Sequence, residues 1–145
     1  MTIAAILGHK GAEVFSVSSD MPLAAVIAVL AERRIGAVPV VDGGAVRGIF
    51  SERDVIRLLA EAGADAARTL ELPVGEVMTA EPLVATRHDS VLAALSLMTR
   101  RRIRHLPIVE ENALVGIVSI GDLVKYRIDR IEADAAAMRD YIQQA

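Results

Sequence analysis

The chain has 145 residues, 53% hydrophobic and 24% charged, so it is globular rather than disordered and sized for one ordinary domain or two small ones sharing a core. A net charge of −3 and only two Tyr and two Phe argue against a nucleic-acid surface, which needs cations for phosphates or rings for bases. The absence of cysteine excludes disulfides, thiolate metal sites and thiol catalysis. Mean hydropathy is +0.42, but the longest apolar runs, such as residues 23–31, fall short of the roughly 20 residues of a membrane span.

In chain order, "TIAAILGHKG" (residues 2–11) reads as a short helix, and residues 15–17 as a short strand. Leu23, Val26, Ile27 and Leu30 fall at i, i+3, i+4 and i+7, the apolar face of a helix. A buried strand, "AVPVV", follows. Its Pro39 is placed near the strand start, where a missing N–H is tolerable. The turn Asp42-Gly43-Gly44 leads into a strand ending at Phe50, and a second helix begins at Ser51. An alanine-rich linker of mixed charge, about residues 63–73, separates this half from the next, which opens on "VGEVMT", a counterpart of the N-terminal helix.

The same elements then recur. Residues 83–85 read as a strand, Val91, Leu95 and Met98 as a helix face, and "HLPIV" as a buried strand around Pro107. The turn Glu110-Glu111-Asn112 precedes a strand ending at Val118, and a helix begins at Ser119. A long helix runs on from Asp122 to about Ile142, with Ile128, Ile131, Ala135, Met138 and Ile142 along one face that suits either internal packing or a dimer contact. Residues 23–57 set over 91–125 without a gap give 11 identities in 35 positions, where unrelated stretches would give roughly 2 to 3. The reading is therefore an α+β chain of two tandem β-α-β-β-α repeats, divided as 1–72 and 73–145.

The repeated motif is "GIFSERD" (residues 48–54) and "GIVSIGD" (residues 116–122). Ser-x-x-Asp after a strand is close to a capping box: the hydroxyl accepts from an early helix N–H, and the acid reaches back to the start. The same groups suit a nucleotide. A helix N-terminus seats phosphate, and a carboxylate matches the two donor hydroxyls of a ribose diol. Local chemistry leaves both readings open.

The stretches "RRIGAVPVVDGGAVRGIFSERDVIRLL" and "RRIRHLPIVEENALVGIVSIGDLVK" resemble tandem CBS domains, over about residues 10–128, with the Gly-h-h-Ser-x-x-Asp signature intact twice. "ERRIGAVPVVD" with "SERDVIR" is similar to small stand-alone bacterial members. The resemblance implies two repeats packed about a pseudo-two-fold axis, with a short N-terminal and a long C-terminal helix. It implies clefts that bind AMP, ADP, ATP, S-adenosylmethionine or NAD(H). It assigns the ribose to Asp54 and Asp122, and a place near ribose and phosphate to Ser51 and Ser119. Ser18, Thr86, Thr79, the pair Ala37 and Val38, and the strand entry His105, Leu106 and Pro107 are expected to line base and ribose. The clefts are expected to differ, because Arg53 can meet a phosphate where Gly121 cannot, and Arg104 and His105 replace Gly36 and Ala37.

The remaining features are quieter. "RRRIRH" (residues 100–105) suits a solvated helix C-terminus. His9, His88 and His105 are too dispersed for a metal site. No nucleophile elbow, phosphate loop or HExxH pattern occurs, so no enzyme and no catalytic cofactor are expected. No secretory signal pattern is visible, and the expected setting is a cytoplasmic homodimer that meets no nucleic acid or membrane. The reading is a nucleotide sensor whose state an effector protein reads; the alternative is a ligand-free interaction module with the same fold.

Overall fold

The structure, a computed structural model, describes residues 1–10 and 14–144. The elements in order are α1 (Ile3–Lys10), α2 (Leu23–Arg33), β1 (Ala37–Asp42), β2 (Ala45–Ser51), α3 (Glu52–Ala62), α4 (Ala66–Thr69), α5 (Val74–Val77), β3 (Thr79–Ala80), α6 (Val91–Arg101), β4 (His105–Glu110), β5 (Ala113–Ser119) and α7 (Ile120–Gln144). The architecture is α+β, as the repeat predicts. The expected N-terminal helix ends at Lys10, and its last expected residue, Gly11, lies outside the described residues. The alanine-rich linker is itself wound into a 3₁₀ turn (Gly63–Asp65) and α4.

Each repeat builds a hairpin, β1–β2 and β4–β5, in matching antiparallel registers. Both hairpins turn through two residues with positive φ, Gly43 and Gly44 in one, Glu111 and Asn112 in the other. That geometry matches the right-handed twist of the strands. Glycine adopts it freely, whereas Glu111 does so at some cost. The hairpins meet at Ala45 and Ala113, positions equivalent under the 68-residue shift, so this pairing marks the two-fold axis of one sheet ordered β1-β2-β5-β4. β3 joins the sheet by pairing with β2.

The short first strand of each repeat is a single bridge rather than a strand. Val17 N–H donates to Pro39 O (3.1 Å), and Val41 N–H to Val17 O (2.8 Å); Ala85 N–H donates to Pro107 O (3.0 Å), and Val109 N–H to Ala85 O (2.9 Å). Pro39 and Pro107 are the third residues of their strands, not the first. Their carbonyls face outward to these bridges, so the missing N–H lies on the outer side and breaks no bond of the hairpin.

The cores are crossed. Val17, Leu23, Val26, Leu30, Val38, Val40 and Phe50 of the first repeat enclose Val74 of α5. Val91, Met98, Leu106, Ile108, Val118 and Leu123 of the second repeat enclose Ile3 and Ile6 of α1. Each repeat is therefore closed by the helix that leads into the other one. Backbone bonds fix both helices: Ile3 N–H to Asp89 O (2.9 Å), Val74 N–H to Met21 O (2.8 Å). Each fully buried aliphatic side chain in these clusters contributes about 1.5–3 kcal/mol. The exchange joins the two repeats through their own cores.

Candidate functional site

Both Ser-Asp motifs are capping boxes. Ser51 N–H donates to Asp54 Oδ2 (2.9 Å) and Asp54 N–H to Ser51 Oγ (3.4 Å). Ser119 N–H donates to Asp122 Oδ2 (2.8 Å) and Asp122 N–H to Ser119 Oγ (3.0 Å). The next N–H of each helix is also engaged, Glu52 to Gly36 O (2.9 Å) and Ile120 to Arg104 O (2.8 Å). Three of the first four donors of each helix are thus occupied, which leaves little for a phosphate at the helix start. The carboxylates are different: Oδ2 serves the cap, and Oδ1 remains.

The cation beside each carboxylate and the hollow it faces distinguish the two copies. Asp54 Oδ1 accepts from Arg57 Nη2 at 3.3 Å within α3, where the arginine is half-exposed and the carboxylate is 16% exposed. Asp54 forms part of the wall of a cleft of about 390 Å³, a size typical of small-molecule sites. Ser51, Arg53, Ala37, Thr79, Arg104 and His105 line the same cleft, so the structure brings seven of the expected residues together across both repeats. Arg53 reaches over it to Arg102 O (3.4 Å). Glu81, Pro82 and Leu83 after β3, and Arg101 and Arg102 at the end of α6, also line the cleft, although the repeated motif does not point to them. The double-arginine ends of α2 and α6, with Arg34 and Arg102 both in the left-handed region, were the available signal for the latter pair.

Asp122 is occupied. Lys10 at the end of α1 donates to Asp122 Oδ2 (2.7 Å) and to Ile117 O (2.9 Å). Burial works to raise the Asp122 carboxyl, but the bonds from Lys10 and Ser119 outweigh it and hold the acid below its ordinary value. Asp122 and Lys10 open onto a hollow between α1 and α7, with His9, Lys125, Tyr126 and Asp129 around it. Under the 68-residue shift Lys10 corresponds to Met78, which instead covers Gly48 with its thioether. Extending the repeat register back to residue 10 would have exposed this difference.

Other expected residues lie elsewhere. Val38, Leu106 and Pro107 are buried in the hairpins and line none of these hollows. Ser18 is exposed and hydrogen-bonds Asp20, and Thr86 is exposed in the turn that Asp89 Oδ2 closes at 2.9 Å. Ser119 serves as the α7 cap.

His105 stands between the two halves. Its ring lies over Gly36, where an added Cβ would sit 3.1 Å from Cε1. Burial lowers its pKa, with Lys10 and Arg104 acting in the same direction and Glu52 and Asp122 opposing them. It is a neutral, half-buried ring at ordinary pH.

Comparison with known proteins places this geometry. The model of the CBS domain matches residues 11–61 and again 74–129. The chain belongs to the CBS domain family. It is 33% identical over 124 residues to the CBS domain-containing protein YhcV of Bacillus subtilis, covering 86% of each chain. A crystal structure of a CBS-domain containing protein from Agrobacterium tumefaciens superposes with a TM-score of 0.81 at 36% identity, over 88% of this chain and 99% of that one. Two more distant structures share the fold. CBSX2 in complex with AMP has a TM-score of 0.75 at 23% identity, covering 88% and 96% of the chains. The CBS pair of protein MJ0100 with 5′-methylthioadenosine and S-adenosyl-L-methionine has a TM-score of 0.77 at 21% identity, covering 90% and 98%. Among the described residues no helix is long and apolar enough to cross a membrane, and no cluster of potential metal ligands occurs.

Proposed function

We propose that this CBS pair is a non-catalytic regulatory module, a cytoplasmic homodimer that binds an adenosine-containing mononucleotide in the Asp54 cleft. The observation that carries this reading is Asp54 itself: a carboxylate with one oxygen left over from its cap, on the wall of a cleft shared by both repeats. Oδ1 accepts from the ribose diol on displacing Arg57, which is half-exposed and turns to water. The lining holds four arginines (53, 101, 102 and 104) against three carboxylates (Glu52, Asp54 and Glu81), a balance of 4 − 3 = +1. A monophosphate suits that balance better than the more highly charged ADP or ATP, so AMP stands first and NAD(H), which carries the same adenosine half, stands next. Adenosine compounds bound by two proteins of the same fold, AMP among them, support an adenosine ligand.

A ligand touching Asp54 on one repeat and Arg104 on the other binds one arrangement of the repeats better than another, and so shifts their population. The capping boxes also favour a second reading, an interaction module without nucleotide, because they account for Ser51 and Asp54 with no ligand at all. A thermal-shift panel of AMP, ATP, NAD, NADH and S-adenosylmethionine separates the two. A concentration-dependent rise in Tm with AMP supports the sensor, and no rise with any compound at millimolar concentration overturns it.

A further inference from the structure

α7 outruns the domain it caps. Leu123 is buried in the second core and Tyr126 packs against it, but from Glu132 to Gln144 every residue except Ala136 is exposed. A helix of that length standing free in water is marginal, so its stability requires something to pack on. The face turned away from Leu123 and Tyr126 carries Val124, Ile128, Ile131, Ala135, Met138 and Ile142. Their spacing is 4, 3, 4, 3, 4, the period of 3.5 residues that keeps a seam against a second helix rather than the 3.6 of a helix lying on a globular core. Five of the six are large and exposed: Val124 42%, Ile128 49%, Ile131 50%, Met138 60% and Ile142 65%.

The charges beside the seam choose the partner. With Val124, Ile131 and Met138 as d positions and Ile128, Ala135 and Ile142 as a positions, the g positions hold Arg127, Asp134 and Tyr141 and the e positions hold Lys125, Glu132 and Arg139. In a parallel pair of identical helices, g meets e of the next heptad on the other strand. Arg127 then faces Glu132, and Asp134 faces Arg139, all of opposite sign and each occurring twice by symmetry. In an antiparallel pair centred on the same stripe, Glu132 meets Glu132, Asp134 meets Asp134 and Lys125 meets Arg139, all of like sign. We infer that the occupant of this face is a second copy of the chain, joined through α7 as a parallel two-stranded coiled coil. This deepens the homodimer reading by assigning its face and direction, and the nucleotide cleft lies outside the seam.

The test uses the full chain and three sets of variants, each checked by AMP thermal shift and circular dichroism to show that the module is intact. Light scattering after size exclusion gives a dimer mass for the wild type, and Ile131→Glu with Met138→Glu gives a monomer. Glu132→Arg weakens the dimer by about tenfold in Kd, and adding Arg127→Glu restores it, because opposite charges face each other again. The chain has no cysteine of its own, so Ile142→Cys reports direction: in a parallel pair the two sulfurs meet and air oxidation links the chains. A wild-type monomer at about 100 µM overturns both this inference and the homodimer reading, since so long a seam should associate below that. A dimer that survives Ile131→Glu with Met138→Glu overturns the α7 seam alone, and an Ile142→Cys dimer that fails to cross-link overturns the parallel direction. AMP binding lost with the wild-type dimer intact counts against the sensor reading and not against the seam.

Discussion

Replacing Asp54 by Asn separates its two tasks. Asp54 Oδ2 accepts Ser51 N–H at 2.9 Å, and an asparagine carbonyl oxygen can keep that bond in the same shape. The cap is therefore retained, and stability should change by less than about 1 kcal/mol, below the usual loss of a cap. Oδ1, whose neighbour in the structure is Arg57 at 3.3 Å, becomes an NH2 donor that faces the diol with the wrong polarity. Losing a hydrogen bond to a charged acceptor costs about 1.5–3 kcal/mol, which is roughly 10- to 150-fold in Kd. Calorimetry with AMP and 2′-deoxy-AMP on both proteins completes a cycle. The deoxy ligand should lose a similar factor on the wild type and little more on Asp54→Asn, because both changes remove the same contact. An AMP Kd within twofold of wild type for Asp54→Asn, or losses that simply add, would refute the assignment of Asp54 to the ribose.

Four further outcomes follow from the packing. Lys10→Met removes the 2.7 Å partner of Asp122, and urea unfolding should show a loss of up to about 1 kcal/mol, the worth of a partly exposed pair. Gly48→Ala puts a Cβ 2.5 Å from both Met78 Sδ and the Thr79 carbonyl, so urea unfolding should show a loss of about 1–3 kcal/mol; Gly116→Ala meets only the flexible end of Leu7 and should lose less. Ile3→Ala, at a fully buried position, should cost about 2–5 kcal/mol, with hydrogen exchange rising first in β4 and β5 because α1 closes that core. His105 is held below its ordinary 6.5, so the unfolded chain binds its proton first: stability is full above pH 6.5 and falls as pH drops below it, and His105→Gln should flatten that slope in denaturation curves.

The repeat was legible because hydrophobic period and turn chemistry are local. The helix faces at residues 23–30 and 91–98, the hairpin turns and the two Ser-Asp helix starts all appear where the pattern puts them. The expected first strands were not, since 15–17 and 83–85 are apolar in the same way whether they make one bridge or a ladder. Within the cleft, Asp54, Ser51 and Arg53 followed from the motif, whereas Val38 and Leu106 read as candidates only until their burial was known.

By itself the sequence determined the duplication, the α+β order of elements and the paired helix caps, because each depends on residues within a few turns of one another. The tertiary structure decided that α1 closes the second repeat and α5 the first, since two similar apolar helices carry no local mark of which core they fill. It also decided the difference between the two aspartates. Lys10 and Asp122 are 112 residues apart, and only the crossing of α1 brings an ammonium to one carboxylate and leaves the other beside an open cleft.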